Sequence, residues 1–176
     1  MTQAIRALLA VISIALLASC GGDSSKPAPS KFKTYQGPPV TQVVVKKGER
    51  KLYLISGKTV LKSYDVGLGQ QPVGPKQFEG DSRTPEGVYF IDRKNAASRY
   101  HLSVGLSYPS TEDVARAAML GLRPGGDIMI HGLGPEGRVL SKQRRDWTAG
   151  CIAVTDEEIE EIFAMLQPGV PIFVYP

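Results

Sequence analysis

The sequence predicts a mainly β domain, a closed or sandwiched barrel-like sheet with two short helices, on three observations. Runs of strand length recur between turns rich in Gly and Pro, of which the 176-residue chain has 19 and 13. Only two stretches carry a helical pattern, and the regular alternation of strand and helix that builds a parallel sheet is absent. Hydrophobic residues at 42% and charged residues at 22% suit one modest core.

Near the start of the sequence Arg6 is followed by an uncharged run, Ala7 to Ser19 (ALLAVISIALLAS). That run is shorter than the ~20 apolar residues a bilayer span needs, so residues 1–19 read as an export signal. It ends in Leu17-Ala18-Ser19-Cys20, which resembles the bacterial lipobox, and this resemblance implies lipid on Cys20. Gly21 follows that cysteine in place of the Asp that holds such proteins at an inner membrane, so the outer membrane is favoured in a diderm host. Residues 21–39 (GGDSSKPAPSKFKTYQGPP) are poor in aliphatic side chains and read as a flexible tether.

A domain is expected over residues 40–176. Val40 to Lys46, Lys51 to Ser56 and Thr59 to Val66 alternate or run apolar around Gly57 and read as hairpin strands. A segment rich in Gly and Pro then leads to Gly87–Asp92 and Tyr100–Gly105, both of β-rich composition. Ser110-Thr111-Glu112-Asp113 starts a helix that Gly121 stops. Asp127–His131 and Cys151–Val154 are short strands on either side of a polar loop. Thr155 with Glu158 forms a capping box for a second helix whose Ile159, Ile162, Phe163 and Leu166 share one face. Pro168-Gly169 ends it, and Pro171–Tyr175 is the last strand.

Charge and composition exclude several functions. Lys plus Arg number 21 against 17 Asp plus Glu, too even a balance for a nucleic-acid binder. Two cysteines and two histidines, at these spacings, do not make a structural zinc site. No metal or organic cofactor is expected. With Cys20 on a tether, Cys151 is the only thiol of the domain, and a lone thiol in an oxidising compartment points to reactivity.

His131-Gly132 at one strand end and Thr148-Ala149-Gly150-Cys151 at the start of another carry the strongest chemical signal. A thiol is mostly protonated at neutral pH, and an imidazole that takes its proton supplies a thiolate nucleophile. Gly150 leaves room for a substrate carbonyl to approach backbone N–H groups that would hold an oxyanion, and the Gly132 carbonyl would fix the histidine tautomer.

Sixteen residues separate His131 from Thr148, and Thr148-Ala149-Gly150-Cys151-Ile152 completes a pattern that resembles the L,D-transpeptidase catalytic domain (YkuD) family. Gly80-Asp81-Ser82-Arg83-Thr84-Pro85-Glu86-Gly87 and Pro124–Gly132 resemble further family segments, and the likeness runs over about residues 41–176, nearest the YafK-like subgroup. The resemblance implies Cys151 as nucleophile, His131 as general base and later acid, Gly132 as its orienter, and Gly150 with Cys151 as the oxyanion backbone. It implies Thr148 shaping the site. Ala149 and Ala153 depart from the commoner His and from Arg or Asn, and the second departure leaves a substrate contact to be supplied by Arg83, Arg144 or Arg145. Trp147 and Tyr108 read equally as lid aromatics or packing, and His101 equally as a cleft wall or a structural residue.

The implied activity is acyl transfer on peptidoglycan stem peptides through a thioester on Cys151, resolved by an amine, in cell-wall remodelling. The same residues acting with water, or on a murein-linked envelope lipoprotein, would make an amidase. A non-catalytic wall-binding lipoprotein is the remaining alternative. A monomer on the periplasmic side of the envelope, attached to the membrane through its N-terminal lipid only, is expected.

Overall fold

A computed structural model describes residues 30–176. Residues 1–29, which include the run read as an export signal and Cys20, lie outside the described residues. The strands are β1 (Gln42–Lys46), β2 (Lys51–Ser56), β3 (Thr59–Asp65), β4 (Gly87–Asn95), β5 (Ser103–Leu106), β6 (Met129–His131), β7 (Ile152–Ala153) and β8 (Pro171–Tyr175). The helices are α1 (Thr111–Met119), α2 (Gly134–Gln143) and α3 (Asp156–Met165).

All eight strands form one sheet in the order β3-β2-β1-β8-β4-β5-β6-β7. Only β1 with β8 and β6 with β7 run parallel. The long β4 serves both halves: Gly87–Phe90 pair with β8, and from Ile91 onward the strand pairs with β5. A register shift between Ile91 and Arg93 lets it bend at that point. Beyond β3 the chain continues to Gly67, which bridges Ala153, and to Gly69, which bridges Thr148. The curled sheet is therefore a half-barrel whose two ends meet beside Cys151.

Alternation places Val43 and Val45, Leu52 and Leu54, and Ile172 and Val174 in the core. Helix α3 covers the β5–β6 end, burying Ile159, Ile162 and Met165, with Leu166 behind them. Each such side chain contributes about 1.5–3 kcal/mol on burial. The expected capping box is present, with Thr155 Oγ1 accepting the Glu158 N–H and Glu158 accepting the Thr155 N–H.

The structure differs from the expectation at two places. A third helix, α2, occupies what reads as a polar loop. Gly134, Pro135 and Gly137 look like breakers, and no apolar stripe marks the segment. Gly137 serves close packing within the helix, since a Cβ there would sit 2.7 Å from Trp147 Cη2. Residues 31–35, read as part of a flexible tether, also lie against the domain. Lys31 Nζ donates to the carbonyls of Ala96 and His101, Lys33 Nζ to that of Glu157, and the Phe32 ring packs on Phe163.

Candidate active site

Strands β6 and β7 bring the two reactive side chains together. In their parallel register Ile130 faces Ile152 and His131 faces Ala153, so Cys151 enters the pair beside Met129. His131 is 3% exposed. Its Nδ1 lies 2.6 Å from the Gly132 carbonyl, which can only accept, so Nδ1 carries the proton and Nε2 the lone pair. Tyr100 stacks on the imidazole at 4.4 Å between centroids, and Trp147 meets it edge-on at 5.6 Å. Burial pushes the imidazole pKa down, against the pull of the Gly132 carbonyl, which favours the neutral base at pH 7.

Gly132 is dictated by space. A Cβ there would lie 2.6 Å from Asp156 Oδ1 and 2.8 Å from the Tyr100 carbonyl. The same Asp156 oxygen accepts the N–H groups of Leu133 and Gly134 at 2.8 and 2.9 Å, while Oδ2 takes Arg138 Nε and Nη2. Asp156, at the first turn of α3, thus fixes the backbone that orients His131. Sequence reasoning misses it, because an acid after a capping Thr reads as ordinary helix chemistry.

Cys151 sits at the mouth of the turn 148–151. Thr148 Oγ1 accepts the Gly150 N–H at 3.1 Å and donates to the Cys151 carbonyl at 2.7 Å, so one hydroxyl locks both ends of the turn. Gly150 has φ of +139°, and a Cβ would meet the Arg83 carbonyl at 2.7 Å. The Gly150 N–H is thus held by Thr148, while the Cys151 N–H has no hydrogen-bond partner among the described residues. The Cys151 Sγ donates to the Asp127 carbonyl at 3.4 Å, and no hydrogen bond joins it to His131. Burial raises the thiol pKa, opposed by the Met129 N–H, Lys76 and Arg93 and assisted by the Asp127 charge. Both shifts favour the uncharged forms of thiol and imidazole.

The other expected contacts divide. Trp147 and Thr148 belong to the site. Tyr108 is a core residue instead, 5% exposed, its hydroxyl donating to the Pro124 carbonyl and its ring edge-on to Tyr89. His101 precedes β5 in a turn with φ of +75°, and its Nε2 is 2.8 Å from Glu160 on α3. Arg145 binds the Val66 carbonyl and the Asp65 carboxylate, fastening the end of β3. Arg83 contributes its carbonyl to the turn, while its guanidinium lies by Gly74. Arg144 is exposed in a groove of about 680 Å³ behind Trp147, together with Lys142 and Ala153. A smaller cavity of about 180 Å³ opens on the other side, lined by Cys151, Ala149, Lys76, Glu79 and Asp127.

A buried His and a half-buried Cys on paired strand ends, with the histidine oriented by a carbonyl and an unpaired amide at the cysteine, carry the parts that cysteine acyl transfer requires. The L,D-transpeptidase catalytic domain (YkuD) profile matches residues 40–174, and the chain belongs to that family. It is 29% identical to YafK of Escherichia coli (strain K12) over 98% of this chain and 69% of YafK. Among solved structures it resembles the helical cell shape determining protein Pgp2 of Campylobacter jejuni at 28% identity and TM-score 0.59, over 80% of this chain and 49% of Pgp2. The L,D-transpeptidase from Mycobacterium smegmatis shares the fold, at 16% identity and TM-score 0.52, over 80% of this chain and 60% of that one. The chain spans about half the length of the Pgp2 structure that it matches.

Proposed function

We propose that the protein is an envelope acyltransferase that acts on peptidoglycan stem peptides through a thioester on Cys151. The observation that carries this reading is the fixed tautomer of His131: with Nδ1 held by the Gly132 carbonyl, Nε2 is the basic nitrogen beside the nucleophile strand. The sulfur leaves the Asp127 carbonyl by rotating about its Cα–Cβ bond, a change between ordinary rotamers. Its proton then passes to His131 Nε2 as sulfur bonds to the carbonyl carbon of the third stem residue.

The resulting oxyanion is met by the Cys151 N–H. Collapse breaks the bond to D-alanine, whose nitrogen takes the proton from His131, and a thioester remains. An amine from a neighbouring stem attacks that thioester, His131 accepts the amine proton, and the thiolate recovers it. Burial that favours the uncharged pair suits a cycle in which proton transfer is coupled to bond formation. We further propose that Cys20 carries the lipid that anchors a monomer at the periplasmic face of the envelope, by preference at an outer membrane.

The test is incubation of wild type and Cys151→Ala with murein tetrapeptides and, separately, with lipoprotein-linked murein, with products followed by mass spectrometry. Cys151-dependent loss of D-alanine with new dimers is expected. Release of the lipoprotein remnant without dimers would show an amidase instead, and no turnover of either substrate would leave a wall-binding module.

A further inference from the structure

Two lysines are almost completely buried, and their surroundings differ. Lys47 is 2% exposed, and its ammonium donates to the Gly74 carbonyl at 2.7 Å, the Thr84 carbonyl at 2.8 Å and Glu86 Oε1 at 2.8 Å. Its three N–H bonds are all satisfied, as burial of a charge requires. Lys76 is 4% exposed, and its ammonium has a single partner among the described residues, Asp81 Oδ1 at 2.8 Å. Two of its donors are unused, and its side chain lines the cavity of about 180 Å³ that Cys151 also lines.

Asp81 cannot supply more. Its two oxygens also accept the N–H groups of Gln77, Phe78 and Arg83, which fix the loop that carries Lys76. The two acids on the cavity are neutralised elsewhere, Glu79 by Arg123 at 2.9 Å and Asp127 by Arg93 at 2.8 Å. An ammonium with two free donors, lining the same cavity as the cysteine, is a place for an anion.

We infer that Lys76 binds the free α-carboxylate of the residue expelled when Cys151 attacks, so that the enzyme selects a leaving group of one terminal amino acid. This rests on the acyl-transfer reading above. In a stem that ends in D-alanine the carboxylate lies one carbon from the leaving nitrogen, near enough to share a small cavity with the sulfur. A lysine joined through its side-chain amine carries its carboxylate at the far end of that chain. Lys76 therefore favours the stem peptide over a lipoprotein linkage.

The experiment compares a tetrapeptide stem as the free acid and as its C-terminal amide, with the full-length protein and with Lys76→Met. Wild type should prefer the acid by about 10- to 100-fold in kcat/KM, the worth of a charged hydrogen-bonded contact, and the variant should bring that ratio toward one. A merely structural lysine would depress both substrates together, and a wild type that treats acid and amide alike overturns the inference. Should neither peptide turn over, the acyl-transfer reading fails, and the carboxylate site is judged by alkylation of Cys151 in high salt, where long-range attraction is screened. The rate ratio of iodoacetate to iodoacetamide cancels the thiolate fraction. It should fall about tenfold in Lys76→Met, and an unchanged ratio refutes the site.

Discussion

Replacing Asp156 by Ala should destabilise the protein by about 3 kcal/mol, and the structure says where that comes from. The carboxylate is 5% exposed and holds the Leu133 and Gly134 N–H groups. Without it both are left unmet, the Gly134 one fully buried, at roughly 1–3 kcal/mol each with Leu133 toward the lower end. Loss of an acid from the first turn of α3 adds about 0.5 kcal/mol. Arg138 adds little, because its side chain is 63% exposed and returns to water.

Asp156→Asn keeps an acceptor for both N–H groups and should cost only about 1 kcal/mol. Burial alone would raise the Asp156 pKa, but the Gly134 N–H, Arg138 and the Leu133 N–H outweigh it and hold the carboxyl below its usual range. Its folded pKa being depressed, the contribution is present above about pH 4 and is lost as pH falls through the lowered value. Urea unfolding followed by fluorescence of Trp147, the single tryptophan, measures each variant. A loss below about 1 kcal/mol in Asp156→Ala, or equal losses in the two variants, would refute the reasoning.

Three further outcomes are expected. Thr148→Val removes both bonds that lock the nucleophile turn and should lower kcat about 100-fold, while Thr148→Ser restores most of it; equal activities in steady-state assays would count against the lock. With the thiol pKa raised and the imidazole pKa lowered by burial, alkylation of Cys151 by iodoacetamide should climb into the alkaline range, and a plateau at neutral pH would reveal a resting ion pair instead. Ser103, fully buried opposite His131, has a hydroxyl without a partner, so Ser103→Ala should leave stability unchanged or raise it by up to about 1 kcal/mol in a thermal melt.

The parts of this molecule legible in the sequence are those with local causes. β2 and β8 match their alternating runs residue for residue, and α3 begins at its capping box, because pattern and cap act within a few residues. The pairing of the His131 and Cys151 strand ends is expected from the resemblance to the family motif, and β6 and β7 pair there. Helix α2 is not legible in the sequence, since Gly137 answers to Trp147 and Gly134 to Arg99 and Tyr100, all outside the helix. His101 looks like a strand residue, yet β5 starts only at Ser103, after a backbone turn that an alternation pattern does not register. Nor could the commitment of the Gly150 N–H to Thr148, the stacking of Tyr100 on His131 or the unmet donors of Lys76 be read from composition. Each depends on what folding brings alongside.

The most direct test of the central claim is to mix the protein with a tetrapeptide stem, quench in acid and weigh it intact. The account predicts a mass increase equal to the stem less D-alanine, mapped to Cys151 and absent from Cys151→Ala. Turnover that survives Cys151→Ala, or an acyl group found on another residue, would contradict it.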